Sequence, residues 1–287
     1  MNKKLLVCDL DDTLYDWVAY FVPSFYAMVD CVVAVTGCDR ETLLDDFRVV
    51  HRRYQDSEQP FALLETKTIK RIYANADWRV VRQQLDPAFH AFNSERKRNL
   101  RLHSGVKETL EQLRQSGVKL VAHTESKLYG AVDRLHRLDL FEFFSRIYCR
   151  ERNISLRPPD DEPPNWLSRF PMEKITELSQ HQTKPNPAVL LEICETENIS
   201  KQEAAYIGDN VARDVLMAKR AGVFSIWAAY GAEHNATLYE ALVRISHRTR
   251  KQIKQERQLI EEAKAISPDF IAHRDFPEVL SIFDVKI

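Results

Sequence analysis

Apolar residues in this chain form two kinds of run. Leu5-Leu6-Val7-Cys8, Val118-Lys119-Leu120-Val121-Ala122 and Ala204-Ala205-Tyr206-Ile207 are short, with the length and make-up of strands buried in a parallel sheet. Longer stretches space their apolar residues as a helix does: Phe21, Phe25, Met28, Val29 and Val32 predict one, and residues 15–99 read as mostly helical. A second long helix is predicted over 236–265, with an incomplete stripe of Leu238, Leu242, Ile245, Ile253 and Ile260. Strands alternating with helices predict an open α/β sheet.

The short runs end in polar groups. The first stops at Asp9, Asp11, Asp12 and Thr13, and the second at Thr124, Glu125 and Ser126. The third stops at Gly208-Asp209, with Asp214 five residues on at the start of a helix through Ala221. Thr183-Lys184-Pro185-Asn186-Pro187 opens another helix and sets an ammonium group on a stiff turn. Open α/β sheets keep their ligands at the carboxyl ends of the strands. Carboxylates gathered there are costly unless they bind a cation or react. Asp9 and Asp11 are therefore the candidate reactive pair, Lys184 a point charge for an anion, and Thr124 a hydroxyl for a phosphate oxygen. Asp12 or Thr13 equally fits a helix cap, and Asp214 a carboxylate facing a helix dipole.

With four clusters in this order, the chain resembles the haloacid dehalogenase superfamily of aspartyl-phosphate phosphohydrolases. The matching residues are D-x-D-x-T at Asp9, Asp11 and Thr13, the strand-ending Thr124, Lys184 before Pro-x-Pro, and G-D-x-x-x-x-D at Gly208, Asp209 and Asp214. Leu102–Leu110 and Lys219–Val223 are similar to the family's flanking segments, Pro268–Ile271 to its last strand, and Phe276–Leu280 to a closing helix.

The resemblance implies a Rossmann-like parallel-sheet core from residues 1–14 and 100–287, with 15–99 inserted as a helical cap. A Pro-rich loop at 150–172 and a charged helix at 236–265 are additions to that core. It implies Asp9 as nucleophile and Asp11 as acid and base. Thr124 and Lys184 would hold phosphate. Magnesium would be held by Asp9, the Asp11 backbone carbonyl, Asp209 and Asp214. Asp11 favours phosphatase or phosphomutase chemistry over dehalogenation, which has no alkoxide to protonate.

Composition narrows the partners. In 287 residues, 44% hydrophobic content suffices for one main domain with an insertion, and a net charge of −1 gives no overall bias toward nucleic acid or anionic membrane. Five cysteines without a C-x-x-C pair argue against a disulfide framework or zinc site, so a reduced, cytoplasmic setting is expected. The four apolar residues before Asp9 are far short of a leader or membrane span. Residues Arg244 to Arg257 carry six Lys/Arg against Glu256 alone. A solvated face is the ordinary reading of such a run. An oligomer contact or a nucleic-acid contact is the alternative, and no stacking aromatics are interleaved.

The expected function is a magnesium-dependent phosphatase for a small phosphorylated metabolite. A phosphomutase is the nearest alternative, and a binding protein acting through the basic segment is the alternative of another class. Oligomeric state is open.

Overall fold

The computed structural model describes residues 3–151 and 165–284. Seven parallel strands form one sheet in the order β4-β3-β2-β1-β5-β6-β7. They are β1 (Leu5–Cys8), β2 (Lys119–Lys127), β3 (Arg146–Arg150), β4 (Ile175–Leu178), β5 (Ala204–Gly208), β6 (Phe224–Ala228) and β7 (Phe270–Ala272). Strand β1 lies at the centre, and all four of its residues are buried. Its alternate side chains serve two cores: Leu6 and Cys8 on one face, Leu5 and Val7 on the other. The α/β fold expected from the apolar runs is the one observed.

Helices α1 (Trp17–Thr36), α2 (Arg40–Tyr54), α3 (Ala62–Glu65), α4 (Lys67–Ile72), α5 (Trp78–Gln84) and α6 (Asp86–Asn99) lie between β1 and β2, before α7 (Val106–Gln115). The chain leaves the sheet and returns at one place, where Tyr15 bridges to Leu102 and the His103 N–H donates to the Leu14 carbonyl at 2.9 Å. The five spaced residues Phe21, Phe25, Met28, Val29 and Val32 are all buried in α1. Length and apolar composition alone would let α1 cross a membrane, and half of that stretch is buried in the fold.

The remaining helices are α8 (Leu128–Arg137), α9 (Pro187–Thr196), α10 (Leu216–Ala221), α11 (Ala236–Ile245) and α12 (Arg250–Ala263). The expected single helix over 236–265 is thus two. Its break has a local cause: His51 Nδ1 bonds the Ile245 carbonyl at 2.8 Å, and Thr249 starts a new helix through a capping box with Gln252. Phe276–Ile282 winds as 3₁₀ turns rather than an α-helix, with Pro277 in its first turn. Most of the expected 150–172 loop, residues 152–164, lies outside the described residues.

Candidate active site

Strand ends β1, β2 and β5 and the turn before α9 bring the sequence candidates to one edge of the sheet. Asp9 continues β1, its N–H donating to the Ile207 carbonyl at 2.9 Å. Buried Thr13 joins two strand ends: its hydroxyl donates to Asp9 Oδ2 at 3.1 Å and accepts from the Asp209 N–H at 3.1 Å. Lys184, almost fully buried, pairs with Asp9 and lies 2.8 Å from Asp214 Oδ1. Asp214 sits in a π-helical turn, Val211–Val215, and accepts from the Tyr206 hydroxyl at 3.2 Å and the Asn210 N–H at 3.1 Å. Such turns concentrate at functional sites. Gly208 permits this closure, because a Cβ there would overlap the Asp214 carboxylate.

Asp9, Asp209 and Asp214 bring carboxylate oxygens within 4.8 Å of one another. Among the described residues a single ammonium, Lys184, faces these three acids. Burial, partly opposed by Lys184 and reinforced by Asp214, pushes the Asp9 carboxyl up to about 7. Burial and the neighbouring Asp214 hold Asp209 well above the usual carboxylate range. A compact all-oxygen donor set with excess negative charge fits a hard divalent cation.

The Asp11 carboxylate stands outside that group, compatible with the expected use of its backbone carbonyl. It accepts from the Tyr15 hydroxyl at 2.7 Å and the Ser126 hydroxyl at 2.5 Å, and Arg134 lies 3.2 Å away. Arg134, on α8, is fully buried, donates to the Tyr15 hydroxyl at 2.9 Å, and pairs with Glu58 from the α2–α3 connection. Thr124 is buried nearby, and its hydroxyl accepts from the Ser126 N–H at 3.0 Å, leaving its own proton to donate.

Asp12 takes the left-handed conformation with φ of 60°, which Asp tolerates, and it accepts from the Trp17 N–H at 2.8 Å. Its cap-like use is therefore real, although Asp16 is the N-cap of α1. His123 is buried beside the Tyr206 hydroxyl, and burial drives its pKa well down. His181 lines the cavity.

Sequence reading missed Tyr15, Glu58, Arg134 and the Glu125–Arg213 pair. Glu125 also accepts from the Lys184 N–H at 3.2 Å and so steadies the lysine turn. Arg134 carried a signal, since a charge falls on the buried face of amphipathic α8. Glu58 carried none. A cavity of about 1180 Å³ lies over the site, lined by Asp9, Asp11, Thr124 and Lys184 on one side and by residues of α12 and its preceding turn on the other. The basic segment is partly neutralised: Arg244 pairs with Asp45 at 2.9 Å and Glu41 at 3.0 Å, and Arg248 with Glu256 at 2.7 Å.

The model of the haloacid dehalogenase-like hydrolases matches residues 3–222, and the chain belongs to that family of enzymes. It is similar to a glyceraldehyde 3-phosphate phosphatase of Methanopyrus kandleri, 25% identical over 78% of this chain and 82% of that protein. It is also similar to a phosphoglycolate phosphatase of Pseudomonas syringae pv. tomato, 24% identical over 83% of this chain and 73% of that one. Among solved structures, a 2-haloacid dehalogenase from Pseudomonas syringae pv. Tomato shares the fold with a TM-score of 0.53 at 19% identity, covering 98% of each chain.

Proposed function

We propose that this chain is a magnesium-dependent phosphatase that cleaves a small phosphorylated metabolite through an aspartyl-phosphate on Asp9. The observation that carries this reading is Asp9 against Lys184 in the same cavity as Asp11, whose separate hydrogen-bond network keeps it apart from the acidic trio. The phosphatase names of relatives over most of the chain support the same reaction class.

Asp9, Asp209, Asp214 and the Asp11 carbonyl would hold magnesium, which when bound offsets the charge of acids and phosphate together. Lys184 balances Asp9 and receives the phosphoryl oxygens, to which Thr124 donates a hydrogen bond. Asp9 attacks phosphorus while the leaving-group oxygen departs, and Asp11 gives that oxygen a proton. Asp11, now anionic, takes a proton from a water that attacks the phosphoryl group on Asp9. Phosphate leaves and both carboxyl groups return to their starting states. Tyr15, Ser126 and Arg134 fix the Asp11 carboxylate during both transfers.

Helices α1–α6 belong to the same proposal as a cap that excludes water from the aspartyl-phosphate. A cytoplasmic location does too, supported by five cysteines present as free thiols. The test is p-nitrophenyl phosphate turnover with and without magnesium, alongside Asp9→Asn. Magnesium-dependent release lost in the variant supports the proposal, and magnesium-independent or retained release refutes it.

A further inference from the structure

The cavity continues past the acidic site to a cationic end that the proposed reaction leaves unused. Register pairs Lys127, the last residue of β2, with Arg150, the last of β3. Neighbouring strands lie about 5 Å apart, so two cations stand side by side at the sheet edge. The turn between α11 and α12 brings His247 and Arg248 to the same cavity. Lys127 has Asp56 at 3.4 Å and Arg248 has Glu256 at 2.7 Å. Arg150 has no carboxylate partner among the described residues. Arg150 Nε and His247 Nδ1 are buried without a hydrogen-bond partner there. Burial and the cations Arg248, Arg150 and Lys127, with His51 close by, hold His247 neutral, with a pKa lowered to about 4.

Buried polar atoms are normally satisfied, and each exception calls for a ligand or another physical cause. An anion set among Lys127, Arg150 and His247 supplies both missing partners and relieves the like-charge contact. Lys127 lies three residues beyond Thr124, at most about 11 Å along an extended chain. A substrate long enough to span that separation would hold its phosphoryl group at Asp9 and Thr124 and a second group at the cationic end.

We propose that this cationic end binds a second anionic group on the substrate, so that the enzyme prefers phosphate monoesters whose leaving group carries a carboxylate or a further phosphate. The inference rests on the phosphatase reading and adds its substrate class. It also assigns substrate recognition to the turn between α11 and α12, outside the helices that precede β2.

The test compares kcat/KM for 2-phosphoglycolate and fructose 1,6-bisphosphate with that for glyceraldehyde 3-phosphate and p-nitrophenyl phosphate, whose leaving groups are uncharged in the ester. The wild type prefers the doubly anionic esters. Arg150→Gln and His247→Gln lower that preference, and Arg150→Gln does so by about tenfold or more, as loss of a charge-assisted hydrogen bond to a buried group does. Arg150→Lys restores part of it. Arg257→Gln, an exposed change on α12, the helix that follows the His247 turn, keeps the wild-type ratio. A carboxylate site favours phosphoglycolate, and a phosphate site the bisphosphate.

Equal kcat/KM for all four esters, or a ratio unmoved in both Arg150→Gln and His247→Gln, overturns the inference while leaving the phosphatase reading intact. If none of the esters releases phosphate, the phosphatase reading fails. The cationic site is then judged by calorimetric titration of the same compounds. Tighter binding of the doubly anionic ones, lost in Arg150→Gln, upholds it, and equal binding overturns it.

Discussion

Asp9 and Asp11 stand two positions apart on one loop, yet different parts of the molecule hold them. Asp9 is fixed by the sheet core: Thr13 beside it and Lys184 before α9, which Asp214 after β5 holds in turn. Asp11 is fixed by Ser126 and Arg134, and through Arg134 by Glu58, which lies among the helices inserted between β1 and β2. In the proposed reaction the nucleophile therefore depends on the strand-end motifs alone. The proton-transfer group depends also on how the inserted helices sit. A movement of Glu58 would reach the second aspartate through Arg134, with no bonded link to the first.

The sharpest break in this comparison is Asp9→Asn. Removing the nucleophile is expected to lower kcat by ~10⁴ or more for every ester, as judged from phosphate release. Asp11→Asn separates substrates instead. For alkyl phosphates kcat falls by ~10²–10⁴. The first step with p-nitrophenyl phosphate is spared, because its phenolate leaves without a proton, so the phosphorylated enzyme accumulates. Equal losses in the burst and the steady state would place Asp11 outside proton transfer.

Arg134→Met probes the link to the inserted helices. Truncating one partner of a buried pair costs about 3–5 kcal/mol, here discounted because Glu58 and Asp11 are partly exposed. Denaturant unfolding should show that loss, and Glu58→Gln in the same chain should recover part of it. If Arg134→Met keeps both full stability and full activity on alkyl phosphates, the link has no consequence.

The remaining effect is in pH. His51 and His247 are held near pKa 4, whereas an unfolded histidine titrates near 6.5. The unfolded chain therefore binds more protons below pH 6.5, and their contribution to stability is lost as pH falls from 6.5 toward 4. Asp9 works in the opposite sense. With its carboxyl raised to about 7 in the fold, the native state holds its proton longer than the unfolded chain, and that contribution is lost as pH rises toward 7. Melting curves across this range should show the histidine slope shrinking in His51→Asn, and the carboxylate slope shrinking when magnesium is added.

The Asp9 half was legible in the sequence and the Asp11 half was not, for a physical reason. Strand ends place their side chains by short, nearly rigid geometry, so Asp9, Thr13, Asp209 and Asp214 announce themselves by spacing along the chain. Arg134 meets Asp11 only after α8 packs against β2, and Glu58 only after a connection between helices folds over the sheet edge. These contacts span more than a hundred and about seventy-six positions of separation. The break between α11 and α12 lay in between. Its capping box, Thr249 with Gln252, is a local signal, but the apolar stripe running across it reads as one helix.

The central claim is that Asp9 becomes phosphorylated. Asp11→Asn enzyme mixed with p-nitrophenyl phosphate and magnesium, quenched in acid and mapped by peptide mass spectrometry, tests it directly. The account predicts a phosphoryl group on Asp9 that is absent when Asp9→Asn is added to the same chain. A phosphoryl group on any other residue, or phosphate release that persists in Asp9→Asn, would contradict it.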